Sequence, residues 1–241
     1  MAPRTLVSRI DAMVICASPK ASCRSVADFA WAVRQHKRLR VPMRMRLIVF
    51  RNPLRRLISA YLNKYVEHSR YREDSLALCP SARLDCFADF LEELDRHGFR
   101  CIDQVHFKPQ RTRYRWWSFD RIFDADNLEG FRLFVNTLCG TDQEMPCRVG
   151  ANRPQAVPRE ALAGPEGSPS TPGPQVPPWA IQREELRRLM ENAPAPPYAS
   201  FFTPSLEAIA RRVYAVDFRF LEQARRKGLL DESLFAALTR L

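Results

Sequence analysis

Ala12-Met-Val-Ile-Cys-Ala17 is an apolar run that stops at Ser18-Pro19-Lys20-Ala21-Ser22-Cys23-Arg24-Ser25. A short apolar run closed by a turn is the pattern of a strand buried on both faces, as in a parallel sheet. From Ser25 to Arg38, apolar Val26, Phe29, Ala30 and Val33 recur at helical spacing. Arg46-Leu-Ile-Val-Phe50 is a second apolar run, and Asn52-Pro53 follows with Pro at a favoured first helical position. Leu54, Leu57, Ile58, Tyr61, Leu62 and Tyr65 then mark one helix face. Strand, loop and helix twice over predict an α/β fold, a parallel sheet with crossover helices.

Working outward, residues 67–85 are polar and read as a loop or broken helix, and Phe87 to Leu94 as a helix with Gly98 near its end. Cys101 to Gln110 is short and irregular. Ser118 to Phe123 is a candidate third strand, and Asn127 to Leu138 a helix closed by Gly140. Residues 153–178 are rich in Pro, Gly and Ser without periodicity, which predicts a flexible insertion. Thr203-Pro204 opens a last long helix carrying Leu206, Ile209, Val213, Val216 and Phe220, and Asp231 caps a short terminal one. The expectation is a single α/β domain over 1–241.

With 241 residues, 46% of them hydrophobic, the chain can bury a sizeable core. Its net charge of +11 favours a polyanionic partner: a nucleotide, an acidic glycan, nucleic acid or a membrane surface. The seven cysteines are odd in number, irregular in spacing and lack a CxxC pair, so neither a zinc site nor a disulfide framework is expected. Reduced thiols in a cytoplasmic compartment follow from that pattern. The apolar run near the start is far short of the ~20 residues of a spanning helix. No transmembrane segment is expected; a membrane-anchored, Golgi-type parent is the alternative.

The first turn joins a buried strand to a helix whose N-terminal N–H groups and dipole favour an anion. Lys20, Ser22, Arg24 and Ser25 add donors there, although the same residues also suit a basic loop capped by Ser. The chain has eight Gly and none before Gly98, so neither turn holds GxxxxGK[ST] or GxGxxG. A P-loop kinase and a Rossmann dehydrogenase are thereby set aside. In the second turn Arg51 sits at the carboxyl end of a strand, where ligands of open α/β sheets bind. Ser59 lies about two turns into the next helix. Arg supplies a planar fork for phosphate, and Ser a directional bond. Arg55 and Arg56 read as a solvated basic face.

The strand–Pro-Lys–loop together with Arg51-Asn-Pro-x-x-Arg-x-x-Ser59-Ala-Tyr61 resembles the sulfotransferases that use 3'-phosphoadenosine-5'-phosphosulfate (PAPS). The likeness is closest to carbohydrate sulfotransferases of the HNK-1 and chondroitin/dermatan type and their bacterial relatives. Asp103-Gln-Val-His106-Phe-Lys-Pro109-Gln110 is similar to their D-x-H-W-x-P-Q segment, with Phe107 in place of Trp. Phe119 through Phe131 is similar to the strand and helix after it, and Tyr214-Ala-Val-Asp217-Phe218 to a C-terminal Y-x-x-D-F helix. The resemblance covers 12–152 and 200–222. It implies a P-loop-like sheet, with Pro19, Lys20, Ala21, Ser22, Cys23, Arg24 and Ser25 around the 5'-phosphosulfate and Arg51 and Ser59 on the 3'-phosphate. Arg24 stands where the family usually has Thr or Ser.

The chemistry so implied is sulfuryl transfer to a hydroxyl of a carbohydrate or glycolipid acceptor without a metal. Lys20 offsets charge on the sulfuryl group, and His106 is the candidate base. His36 is a second candidate, and its basic neighbours indicate a solvated surface; His68 and His97 read as loop residues. Trp116 and Trp117 read as core aromatics, with an acceptor cleft as the alternative. Competing readings are a catalytically inactive polyanion- or nucleotide-binding protein and a nucleic-acid module. No helix-turn-helix, zinc-finger or aromatic RNA-binding signature supports the last.

Overall fold

The computed structural model describes residues 6–41, 43–100, 102, 104–114, 117–146, 176–192 and 195–231. The chain divides into two compact units: 1–60, 103–148 and 211–241 form the first, and 61–102 with 149–210 the second.

The first unit is built on a four-stranded sheet in the order β1 (Leu6–Ile10), β2 (Met13–Ala17), β3 (Met45–Phe50), β4 (Arg121–Asp124). β2, β3 and β4 are parallel, as the two apolar runs predict, and β1 adds an antiparallel edge through a hairpin turn in which Asp11 adopts φ 50. Alternation along the buried strands divides their side chains between two cores. Ile15, Ala17, Leu47, Val49 and Phe123 face α1 (Cys23–His36) and α6 (Glu129–Cys139), meeting Val26, Phe29, Ala30 and Val33 of α1 and Phe131, Val135 and Cys139 of α6. Cys16, Ile48, Phe50 and Ile122 face the other way, onto Tyr114, Phe119, Leu221 and Ala224. Leu221 and Ala224 belong to α9 (Ala215–Arg226). This is the predicted helix-flanked α/β fold. α2 (Pro53–Tyr61) follows β3 directly, as Asn52-Pro53 indicates.

The second unit holds the π-helical turn Leu62–Val66, α3 (Ser69–Leu78), α4 (Phe87–His97) and α7 (Arg183–Asn192). Tyr65 and Phe90 have ring centroids 4.7 Å apart, and Tyr61 meets Phe87 and Phe90 at 5.2 Å each. The Tyr65 hydroxyl pairs with Ser75 Oγ at 2.5 Å.

Several expectations change. Residues 67–85 contain the ten-residue helix α3; it buries little besides Ser75, so it has no apolar stripe to advertise it. The predicted last helix is two, α8 (Pro204–Val213) and α9, separated at Tyr214, whose hydroxyl donates to the Phe107 carbonyl at 2.7 Å. The third strand begins at Arg121 rather than Ser118. Cys79 is disulfide-bonded, which corrects the expectation of reduced thiols there; its partner lies outside the described residues, while Cys16, Cys23, Cys86 and Cys139 are free. Irregular spacing conceals such a pairing because the fold, not the sequence interval, brings two sulfurs within reach. The insertion over 153–175 and the terminal helix after Asp231 also lie outside the described residues. Among those described, no helix is long and apolar enough to cross a membrane.

Candidate functional site

In the ladder Ala17 pairs with Val49 and Phe50 with Asp124, so β2, β3 and β4 end side by side. The segments after them, 18–22, 51–52 and 125–128, leave from this carboxyl edge, where open α/β sheets bind ligands.

The first segment has an unusual backbone. Lys20 adopts φ 65 and Ser22 φ 51, left-handed conformations at two non-glycine residues. Each is strained by roughly 1–2 kcal/mol relative to a right-handed turn, so other contacts must hold the loop. Ser22 Oγ donates to the Ala125 carbonyl at 2.9 Å instead of capping α1. Arg56 Nε donates to the Pro19 carbonyl, and Arg51 Nη1 to the Lys20 carbonyl, both at 3.1 Å. Two guanidinium groups thus grip consecutive carbonyls of the loop. α1 starts at Cys23, and its first N–H groups have no intrahelical acceptor. Burial raises the Cys23 thiol, an effect opposed by Arg24, by the N–H groups of Arg24 and Cys23, and by Lys20. Arg24 is exposed, and Ser25 and Lys20 are half-buried.

On α2, Arg55 and Ser59 follow Arg51 at intervals of four. All three are half-buried, while Asn52 to Leu54 and Arg56 to Ile58 are buried. That spacing gives Arg55 and Ser59 one shared stripe of α2, while Arg51 stands just before the helix. Arg51 Nη2 reaches Asp126 at 2.5 Å, and Arg55 Nη1 lies 3.7 Å from the same carboxylate. Asp124 is pushed up to about 6, chiefly by burial, and accepts the N–H of Asp126 at 2.9 Å.

Arg56 corrects the reading of a solvated basic face, for it is fully buried. Its Nη1 and Nη2 have no hydrogen-bond partner among the described residues. Burial lowers its pKa, while Tyr214 and Asp217 favour the charged form. Its position is explained by α2 burying every residue except Arg55 and Ser59. Asp217 is also fully buried and pushed up to about 6 by that burial. Its carboxylate accepts the N–H groups of Gln110 at 2.9 Å and Arg111 at 2.7 Å.

Gln110, in turn, joins the strand ends. Its Oε1 accepts from Ser18 Oγ at 3.0 Å and from the Arg51 N–H at 3.1 Å, while Nε2 donates to the Arg51 carbonyl at 2.7 Å. Gln110 and Asp217 fall in the two family-like segments, but the sequence assigns neither a role, and it reads Arg56 as solvated. The structure therefore gathers the 18–22 loop, Arg51 and Gln110 into one bonded network, and shows no bond from Ser59 to it among the described residues.

His106 lies on the short helix α5 (Gln104–Phe107), four residues before Gln110, and is half-buried. Asp103 and Trp116 lie outside the described residues. Trp117 meets Tyr114 edge-on and Phe119 at a tilt, with centroids 6.1 and 6.4 Å away, and Arg46 lies over its ring, in keeping with the core reading. His36 is exposed and bonds the Ala32 carbonyl; His68 is exposed, and His97 ends α4 beside Glu93. Among the described residues no three His, Cys, Asp or Glu side chains gather as a metal-ligand set.

A sequence profile described as "Sulfotransferase family" matches residues 11–149, from the β1–β2 turn to beyond α6. The chain belongs to the sulfotransferase family. No curated protein and no solved structure matches it. The match covers the Lys20 loop, Arg51, Ser59 and Gln110 and stops before Asp217. In this sulfotransferase, α9 nonetheless enters the site network through that carboxylate.

Proposed function

We propose that this sulfotransferase moves the sulfuryl group of PAPS to a hydroxyl of a carbohydrate or glycolipid acceptor. The supporting observation is the joint placement of the Lys20 loop and Arg51 at one edge of the sheet, tied through the Lys20 carbonyl and Gln110. The loop and the first turn of α1, residues Pro19, Lys20, Ala21, Ser22, Cys23, Arg24 and Ser25, take the 5'-phosphosulfate. Arg51 and Ser59 take the 3'-phosphate, with Asp126 holding the guanidinium in place. The acceptor oxygen forms a bond to sulfur as the bond from sulfur to the bridging phosphate oxygen breaks. Electrons from that bond leave with 3'-phosphoadenosine-5'-phosphate (PAP), and the acceptor proton passes to His106. Lys20 stabilises the leaving phosphate. Positioning and charge stabilisation supply most of the rate in such transfers, and no metal enters the scheme. The Cys79 disulfide supports an oxidising compartment over the cytoplasm.

A second reading, a nucleotide-binding protein without turnover, draws support from exposed Arg24 in the loop. Incubation with sulfur-labelled PAPS and a panel of glycans and glycolipids separates the two. Transfer is expected in the wild type, with a loss of about 10²–10⁴-fold in His106→Ala if that residue is the base. PAP binding without transfer to any acceptor would favour the second reading.

A further inference from the structure

The β2–β3 ladder ends at Ala17 and Val49, and beyond it the chains part toward the loop and toward α2. Gln110 stands at that fork. Its carboxamide meets both the N–H and the C=O of Arg51, as the peptide group of a neighbouring strand would, and the same oxygen takes the hydroxyl of buried Ser18. One side-chain amide thus continues the ladder where two strands can no longer pair directly. It is itself fully buried, and its backbone N–H is anchored on Asp217 of α9. A buried amide with three well-made bonds defines distance and angle closely, because leaving any of its groups unpaired is costly.

We propose that Gln110 is a positioning residue: it sets the separation between the Ser18 end of the loop and Arg51, and so between the two anion subsites of the donor. This rests on the donor reading above. Its consequence is specific. A ligand carrying both phosphates gains from joining two subsites only when their spacing matches its own, whereas a ligand with one phosphate is indifferent to the spacing.

The test is calorimetric binding of PAP and of adenosine 3'-monophosphate to the wild type, Gln110→Met and Gln110→Glu, with melting curves for each. Met removes all three bonds at similar volume; ionised Glu keeps the acceptor and loses the donor to Arg51. The expected result is PAP binding weakened by about tenfold or more in Gln110→Met and less in Gln110→Glu, as a linked second contact would be. Adenosine 3'-monophosphate binding stays within about twofold in both folded variants, since its single subsite is intact. Equal loss of both ligands, or unfolding of both variants, would make Gln110 purely structural and overturn the proposal. Unchanged PAP affinity would overturn it as well. Failure of the wild type itself to bind PAP would instead strike the donor reading.

Discussion

The two ends of one sheet use arginine in opposite ways. Residues 29–66 hold ten Lys and Arg and no Asp or Glu, nearly the whole net charge of +11. At the carboxyl edge, Arg51, Arg55 and Arg56 are half-buried or buried, bonded to loop carbonyls or facing Asp126. At the other edge, the last turn of α1 carries exposed Arg34 and the connection to β3 exposed Arg38, Arg40 and Arg44, while Lys37 pairs with Asp11. Between them run six residues of β3, about 20 Å. Net charge alone would favour the exposed end as the anion site. Two of the three left-handed non-glycine residues among those described, Lys20 and Ser22, lie at the other, with buried Asp217 and the guanidinium donors to the loop carbonyls.

The largest expected contrast is in stability. Arg56→Ala leaves the Pro19 carbonyl and buried Asp217 without their cation, and a loss of about 3–5 kcal/mol is expected for breaking such a buried set. Arg38→Ala, on the exposed edge, should change stability by no more than about 0.5 kcal/mol. Urea denaturation measures both, and equal losses would erase the contrast.

Next comes Asp217. Its pKa in the folded protein, about 6, lies above the usual carboxylate range, so the folded state holds the proton more tightly. The stability this gives is fully present below the unfolded value and is lost as pH rises through about 6. Asp217→Asn should therefore flatten that fall between pH 4 and about 6.5 in melting curves. It should also cost about 1–3 kcal/mol at pH 7, since an amide nitrogen would face a backbone N–H. An unchanged pH profile would remove Asp217 from the account.

The smallest effect sharpens the comparison from the other side. Reversing Arg38, Arg40 and Arg44 to Glu should leave PAP affinity within about twofold at 0.15 M salt, because that edge lies beyond the ~8 Å screening length. A larger change would bring the exposed edge into the donor site.

Much of this was legible beforehand, for physical reasons. β2 and β3 are buried on both faces and read as unbroken apolar runs; α1 and α2 declare themselves by spacing and by Pro53. The loop and Arg51 could be placed because ligands favour the carboxyl ends of parallel strands. β1 was missed because Leu-Val-Ser-Arg-Ile is a short edge strand with little pattern. Arg56 was misjudged because it follows Arg55, and two adjacent cations read as one solvated face until the helix is seen buried on one side. The Gln110–Asp217 bond spans 107 residues, and no local pattern announces it.

The most direct test of the donor site is isothermal titration of the wild type and Arg51→Ala with PAP, beside adenosine 5'-monophosphate. The account predicts micromolar PAP binding that weakens at least about 30-fold in the variant, the scale of a lost charge-assisted pair. It also predicts clearly weaker binding of the nucleotide lacking a 3'-phosphate. PAP affinity equal to that of adenosine 5'-monophosphate, or unaffected by the loss of Arg51, would contradict it.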